Sequence, residues 1–354
     1  MHPFFYPYIS KAFIKPIETA PDLAYNGHAE NKTQKRKANK MKKTVSLILA
    51  ALMLLSLASF TGCKKADDAV IRIAALKGPT GMGIAPLMNK ESYPNYNITI
   101  GSDPSAVTAS FIAGEYDAAA LPVNVASVLY NKLEGDVVML GITTLGVLYV
   151  LESGNEINSM ADLSGKTLYA TGQGSTPEYI LNYLLEKNGL AEVTVEFKAE
   201  HSELATLMAS GEVGLGMMPE PNVTATLAKN DSLRVALDLT EEWNKVCDSK
   251  LVQGVLIARR SFVNEHEAAV KKLMDDYAKA VEVVNTASDE AAQMIVDAEI
   301  LPAVPVAKAA IPRCNIVFIT GAEMKKAASD MYNVLFAADP KSVGGKLPGE
   351  DLYY

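Results

Sequence analysis

The chain has 354 residues, of which 49% are hydrophobic, and its 41 acidic and 33 basic side chains give a net charge of −8. This length allows one large domain or two medium ones, because domains usually have about 100–200 residues, and the acidic balance argues against nucleic-acid binding. With four histidines and three cysteines in the whole chain, a zinc or iron site built from clustered His and Cys is disfavoured.

Residues 1–40 are polar and basic, and they are rich in Asn and Lys beyond Ala24. They do not match an export signal. We interpret them as a mis-assigned start or a disordered leader.

Residues 41–62 have the layout of a secretory signal peptide. Lys42 and Lys43 precede an apolar core from Val45 to Phe60, and small residues follow. Since a helix needs roughly 20 apolar residues to cross a bilayer, this core is too short for a permanent anchor.

The end of this segment resembles the lipobox of bacterial lipoproteins, in which a small residue and a glycine precede a lipidated cysteine. Thr61, Gly62 and Cys63 fit that pattern, whereas Phe60 replaces the usual Leu or Val. The resemblance predicts lipidation of Cys63, which would become the mature N-terminus. The alternative is an ordinary cleaved signal peptide with a chance cysteine.

The chain after Cys63 is strongly acidic. Residues 1–63 contain nine Lys or Arg and three Asp or Glu, so 24 basic and 38 acidic side chains remain, a net charge of −14. Cys247 and Cys314 also remain. They form one disulfide or stay as two buried free thiols, because sequence alone cannot place their Cα atoms within the roughly 4.4–6.8 Å that a disulfide needs.

From Val70 the chain alternates short apolar runs with longer segments of helical period, a pattern typical of βαβ units and a largely parallel sheet. One predicted helix has Asp103 as its N-cap, Pro104 in its first turn and Gly114 at its end. The strands predicted in this first round are 69–76, 96–100, 117–122 and 136–143.

A second round repeats the order and spacing of the first, which predicts two similar α/β lobes. Its predicted strands are 165–170, 193–198, 213–218 and 233–239.

The chain then returns through a predicted strand over 251–260 and a long helix from Asn264, with Glu267 as a capping-box partner. Because the helices that follow have no matching strands, we expect them to pack on the first lobe. Residues 70–150 with 251–354 would form lobe I, and residues 151–250 would form lobe II.

Five segments, in the order AALKGPTGMG, GEYDAAALPVN, GQGSTPEY, MMPEP and LVQGVLIARRSF, carry a resemblance to a known family. With them the chain resembles the solute-binding proteins of ABC importers, in the type II periplasmic-binding-protein group related to nitrate, sulfonate, taurine and thiamine-precursor binding proteins. The resemblance implies a two-lobed α/β fold whose connecting segments lie near Leu148–Ser153 and Lys250–Val255. The cysteine-rich motif of the thiamine-precursor branch is missing, which argues against a pyrimidine ligand.

The resemblance also implies a function. A small solute would bind between the lobes of a lipid-anchored, extracytoplasmic monomer and pass to an ABC permease with its ATPase, without a cofactor, a metal or catalytic residues. Two other functions stay open: an enzyme on the same fold, similar to a pyrimidine synthase or a chorismate dehydratase, and a surface adhesion lipoprotein. The export signal disfavours the enzymes, which work in the cytosol.

Four segments that follow predicted strands are assigned to the ligand by this resemblance. Ligands of open α/β sheets bind beyond the carboxyl ends of the strands, near helix N-termini with unpaired N–H groups. The assigned residues are Lys77, Gly78, Pro79, Thr80, Gly81, Pro122, Val123, Asn124, Gly172, Gln173, Gly174, Ser175, Thr176, Pro219, Glu220 and Pro221.

Some side chains near these segments have two interpretations. Lys77 is a cleft charge or a solvated one, and Glu220 contacts the ligand or only the helix that follows it. Trp243 stacks on the ligand or packs in the core. Ser175 or Thr176 is expected to cap a helix, and His201 to be a solvated helix start rather than a catalytic base. Because no arginine cluster is present, we expect a small organic solute with at most one anionic group or several carbonyl groups.

Overall fold

The computed structural model describes residues 68–354. The predictions for residues 1–40, for the signal peptide at 41–62 and for lipidation of Cys63 lie outside the described residues. No helix in residues 68–354 is both long and apolar enough to span a membrane.

Strands and helices alternate through most of the described chain. The strands are β1 (Ile71–Leu76), β2 (Tyr96–Gly101), β3 (Ala118–Pro122), β4 (Val138–Thr144), β5 (Leu148–Ser153), β6 (Thr167–Thr171), β7 (Thr194–Lys198), β8 (Leu215–Pro219), β9 (Leu233–Asp238), β10 (Gly254–Ala258) and β11 (Ile316–Ile319). The α-helices are α1 (Pro79–Ile84), α2 (Pro104–Ile112), α3 (Val123–Lys132), α4 (Thr176–Lys187), α5 (His201–Ala209), α6 (Asn222–Leu227), α7 (Leu239–Val246), α8 (Arg260–Glu265), α9 (Glu267–Asn285), α10 (Asp289–Asp297), α11 (Val304–Ala310) and α12 (Gly321–Ala338).

Two sheets organise these elements. The first has the strand order β11-β4-β10-β3-β1-β2, and the second has the order β7-β6-β8-β5-β9. β1 runs parallel to β2 and β3, and β6 runs parallel to β7 and β8, whereas β10 returns antiparallel between β3 and β4. Each predicted strand therefore exists, but both sheets are mixed rather than largely parallel, because β5, β10 and β11 pair antiparallel with their neighbours.

The crossings between the two sheets differ from the expected connecting segments. Leu148–Ser153 was expected to be a connection, but it is β5, a strand that pairs with β8 and β9 in the second sheet. Its first five residues are buried, and strands pair with both of its edges. The chain crosses to the second sheet over 145–147, and it returns over 247–253 before β10 begins at Gly254.

The return segment also corrects two predictions. The long helix expected from Asn264 is divided into α8 and α9 by a break at His266, so Asn264 and Glu267 do not form the predicted capping box. A further strand, β11, follows the short helices and pairs with the edge of β4. The apolar face of α9 is buried in the core.

Local signals at the start of α2 are confirmed. The Asp103 carboxylate accepts a hydrogen bond from the Ser105 N–H at 2.8 Å, and Pro104 lies in the first turn. Gly114 follows the helix with a φ of +83°, a conformation in which glycine is favoured.

A continuous hydrophobic cluster includes buried residues of both sheets and of the returning crossing, among them Leu148, Trp243, Leu251 and Val255. The cysteines do not form a bridge: Cys314 is a buried free thiol and Cys247 a partly buried one. Trp243 donates its indole N–H to the Ser249 carbonyl at 2.7 Å and is fully buried. It therefore packs in the core rather than stacking on a ligand.

Candidate functional site

The four segments assigned to the ligand begin where four strands end. Residues 77–81 follow β1, and residues 122–124 lie at the end of β3. Because β1 and β3 are parallel neighbours, both segments emerge at the same edge of the first sheet. In the second sheet, residues 172–176 follow β6 and residues 219–221 follow β8, which are also parallel neighbours.

A buried hydrogen bond joins these two edges. The Thr176 hydroxyl, at the start of α4, donates to the Asn124 side-chain oxygen in α3 at 2.8 Å, and both residues are buried. The bond therefore links the second sheet's Gly-rich segment to the first sheet's β3 segment. Two of the residues assigned to the ligand from opposite sheets are in direct contact.

The other two segments also approach each other. Gly78 has a φ of +112°, and a Cβ atom placed on it would lie 4.0 Å from the Pro221 Cδ atom. The segment after β1 therefore lies beside the proline segment after β8. A side chain at position 78 would have to occupy the space between the two sheets with a strained backbone.

Arg313 makes a further contact between the sheets that the sequence did not reveal. It ends a short 3-10 helix, Ile311–Arg313, before β11. Its guanidinium Nη1 lies 3.3 Å from the Thr224 hydroxyl and 3.8 Å from a Glu220 carboxylate oxygen. The Tyr149 hydroxyl of β5 donates to the Arg313 carbonyl at 3.0 Å. A lone arginine at the end of a short 3-10 helix has no motif that would have identified it.

Glu220 is completely buried at this contact. Its carboxylate accepts hydrogen bonds from the Thr224 N–H at 3.1 Å and from the Thr224 hydroxyl at 2.8 Å. Loss of hydration raises the pKa of Glu220, and the bonds from Thr224 and the charge of Arg313 oppose that shift. The carboxylate thus binds the start of α6, which was one of its two predicted interpretations, and a ligand contact stays a prediction.

The Gly-rich segment is arranged by its own hydrogen bonds. Gly172 and Gly174 have φ angles of +84° and +71°. The Ser175 hydroxyl donates to the Gly172 carbonyl at 2.6 Å, and the Gly174 N–H donates to the Glu178 carboxylate at 2.5 Å. Ser175 occupies the N-cap position of α4 but makes no capping bond, because its hydroxyl is used within the turn. Gln173 is exposed beside these groups.

His201 differs from its prediction. It begins α5, as expected, but it is partly buried rather than solvated, and its Nδ1 lies 2.7 Å from the Thr171 hydroxyl at the end of β6. Burial lowers the pKa of His201, which favours the neutral imidazole. The His201 side chain supports the end of β6, which leads into the Gly-rich segment. Lys77, in the segment after β1, is exposed.

Unpaired polar atoms occur at the same edge of the first sheet. The Thr144 hydroxyl and the Gln253 side-chain nitrogen are buried without a hydrogen-bond partner. Thr144 and Pro122 both pair with Gly254, so these groups lie at the strand ends that carry the predicted segments. No group of three or more His, Cys, Asp or Glu side chains in residues 68–354 could hold a metal ion.

The sequence of residues 98–291 matches the family described as NMT1/THI5 like. The chain belongs to this family. A comparison with curated proteins found no match.

Solved structures confirm the two-lobed α/β fold. An ABC transporter protein from Parabacteroides distasonis is 23% identical over 81% of this chain and 99% of that chain, with a TM-score of 0.70. The periplasmic aliphatic sulphonate binding protein SsuA from Escherichia coli is 17% identical over 80% of this chain and 91% of that chain, with a TM-score of 0.65. The alkanesulfonate-binding protein SsuA from Xanthomonas axonopodis pv. citri, bound to MOPS, is 17% identical over 80% and 97%, with a TM-score of 0.62.

The contact between Thr176 and Asn124 predicts energetic coupling between the two lobes. In a double-mutant cycle of Thr176→Val and Asn124→Ala, the free energies of unfolding should deviate from additivity by about 0.5–1.5 kcal/mol, the usual contribution of a hydrogen bond. As a control, Thr176→Val should be additive with Asn131→Ala, because Asn131 bonds to the carbonyl groups of Val343 and Lys346 instead. Additive effects for the Thr176 and Asn124 pair would contradict the contact.

The pKa of Glu220 predicts a pH effect on stability. Because this pKa is raised above its ordinary value of 4.5 in the folded protein, the folded state holds the proton more tightly than the unfolded chain does. The stability from this group is therefore present below pH 4.5 and is lost as pH rises through the raised pKa. The melting temperature of the wild type, compared with that of Glu220→Gln, should therefore fall as pH rises from 4.5 through the raised pKa.

Melting curves of the wild type, Glu220→Gln and the exposed control Glu91→Gln, recorded at a series of pH values, provide the measurement. The control should follow the wild type at every pH. A wild type that gains stability relative to Glu220→Gln as pH rises would show that the carboxylate is favoured in its charged form.

Proposed function

We propose that this protein is the solute-binding component of an ABC importer, and that it holds a small organic solute between its two lobes. The observation that carries the proposal is the contact across the lobes: Thr176 of one and Asn124 of the other are hydrogen-bonded. A solute bound among these segments would contact both lobes. It would therefore favour the closed arrangement, which is the one that offers contacts from two sides.

The proposal is supported by the family and by the relatives of the same fold. The similar structures include an alkanesulfonate-binding protein and an aliphatic sulphonate binding protein. In this chain, Gln173 is exposed next to a tight glycine turn, and Asn124 and Thr176 lie at helix starts. These groups suit a solute with at most one anionic group or several carbonyl groups.

The cellular arrangement follows from the N-terminal signal. We propose that Cys63 is lipidated and holds the protein, as a monomer, on the outer side of the cell membrane, where it delivers solute to a permease and its ATPase. Lipid chains give anchoring of about 0.8 kcal/mol per buried CH₂ group, and two or more chains make it stable.

A thermal-shift screen of sulfonates, nitrate, carboxylates, pyrimidines and flavins should identify a solute that raises the melting temperature. At a concentration of 100 times its Kd, such a solute stabilises a protein by about 2.7 kcal/mol. Equilibrium dialysis with the labelled compound should return it chemically unchanged, and Gln173→Ala should weaken binding by roughly 0.5–3 kcal/mol.

Other results would favour the other functions. A labelled compound that returns altered would identify an enzyme on this fold. If no compound raises the melting temperature, the adhesion function is favoured. If Gln173→Ala leaves the affinity for the solute unchanged, the Gly-rich segment is not part of the site.

A further inference from the structure

We propose that Arg313 selects the charge of the solute by binding a single carboxylate or sulfonate group at the rim between the lobes. The inference rests on the proposed function and names a residue that the four predicted segments do not include. Arg313 lies on the first-sheet side, its side chain is 42% exposed, and it faces Thr224 and Glu220 on the second-sheet side. Those two residues adjoin the proline segment after β8.

Arg313 differs from the other arginines in residues 68–354 because no carboxylate lies within hydrogen-bond distance of it. Its closest carboxylate oxygen, on Glu220, is 3.8 Å away. The other guanidinium groups lie within 3.1 Å of a carboxylate oxygen, in the pairs Arg72–Asp117, Arg234–Glu152, Arg259–Asp136 and Arg260–Asp351.

Most of the donors of Arg313 are therefore available. A guanidinium has five N–H donors in a planar fork that matches a carboxylate or a sulfonate. Nη1 contacts the Thr224 hydroxyl at 3.3 Å, and the Nε and Nη2 groups have no hydrogen-bond partner in the described part of the chain. A half-exposed cation with free donors at an interlobe rim is arranged to receive an acceptor from outside.

Glu220 does not neutralise this cation effectively. Both of its oxygens accept bonds from Thr224, and its side chain is fully buried, so the carboxylate cannot turn toward the guanidinium without losing those bonds. The positive charge of Arg313 is thus left partly uncompensated within an acidic protein.

Two polar groups without partners lie at the edge of the sheet that contains β11. Ile316 of β11, which follows Arg313 closely in the chain, pairs with Thr144, whose hydroxyl is buried and unpaired. The Gln253 side-chain nitrogen, at the same edge, is also unpaired. An organic anion brings several acceptor oxygens, which suit guanidinium and amide donors.

Matched pairs of compounds test the charge selection. The probes are alkanoates and alkanesulfonates of two to eight carbons, each with its neutral amide or sulfonamide, and calorimetry with the full chain gives their affinities. We expect the wild type to bind an anion more tightly than its neutral partner. Arg313→Gln should reduce this preference roughly tenfold to a hundredfold, the range for a lost hydrogen bond to a charged group.

Two further variants separate charge selection from a structural role. Arg313→Lys keeps the charge and should restore part of the preference, and Lys229→Gln, an exposed charge in the second sheet's lobe, should leave it unchanged. If Arg313 only stabilised the contact with Thr224, the Gln variant would weaken both members of a pair equally, and the ratio would stay constant.

The outcomes distinguish a failure of the inference from a failure of the proposed function. Three results would overturn the role of Arg313 and still leave a solute-binding protein. The wild type could bind the neutral compounds better, the preference for anions could survive Arg313→Gln, or that preference could disappear in Lys77→Gln instead. If no member of either series binds but the wider screen finds a cationic or uncharged solute, the charge assignment is wrong. If nothing binds in either experiment, the proposed function fails with it.

Discussion

The cleft depends on the parallel pairing of β1 with β3 and of β6 with β8, combined with the two crossings of the chain between the sheets. Parallel neighbours end at the same edge, so each sheet presents two loops at one place, and the crossings over 145–147 and 247–253 keep those two edges facing each other. The hydrogen bond from Thr176 to Asn124 is possible only because of this arrangement. The chemistry of the site therefore follows from the topology before any particular side chain is considered.

Two polar contacts between the lobes, Thr176 with Asn124 and Arg313 with Thr224, are individually weak. A typical hydrogen bond contributes about 0.5–1.5 kcal/mol, and the Arg313 contact with Glu220 is longer than a hydrogen bond. Since 1.4 kcal/mol changes an equilibrium tenfold, a solute with modestly better contacts in the closed arrangement can shift the population substantially. Burial of the Glu220 carboxylate destabilises the folded protein at this contact, because the hydrogen bonds from Thr224 offset only part of the lost hydration.

The sequence predicted the strands with a clear apolar pattern, the cap at Asp103 and the two-lobed class, because periodicity and capping are local properties. It missed β5, whose continuous apolar run could not be assigned to a sheet without its neighbours β8 and β9. It also missed the break at His266 and the strand β11, which depends on pairing with β4, a strand far away in the chain. The ligand segments were placed by resemblance and their contacts stay predictions, whereas Arg313 could be found only from distances between residues far apart in the chain.

Small-angle X-ray scattering of the protein with and without its solute tests whether solute closes the lobes, because solute should select the arrangement in which Asn124 and Thr176 meet. Saturating solute should lower the radius of gyration of the wild type, and the decrease should be smaller in the Asn124→Ala, Thr176→Val double variant. A confirmed solute that leaves the scattering profile of the wild type unchanged would contradict binding between lobes that close.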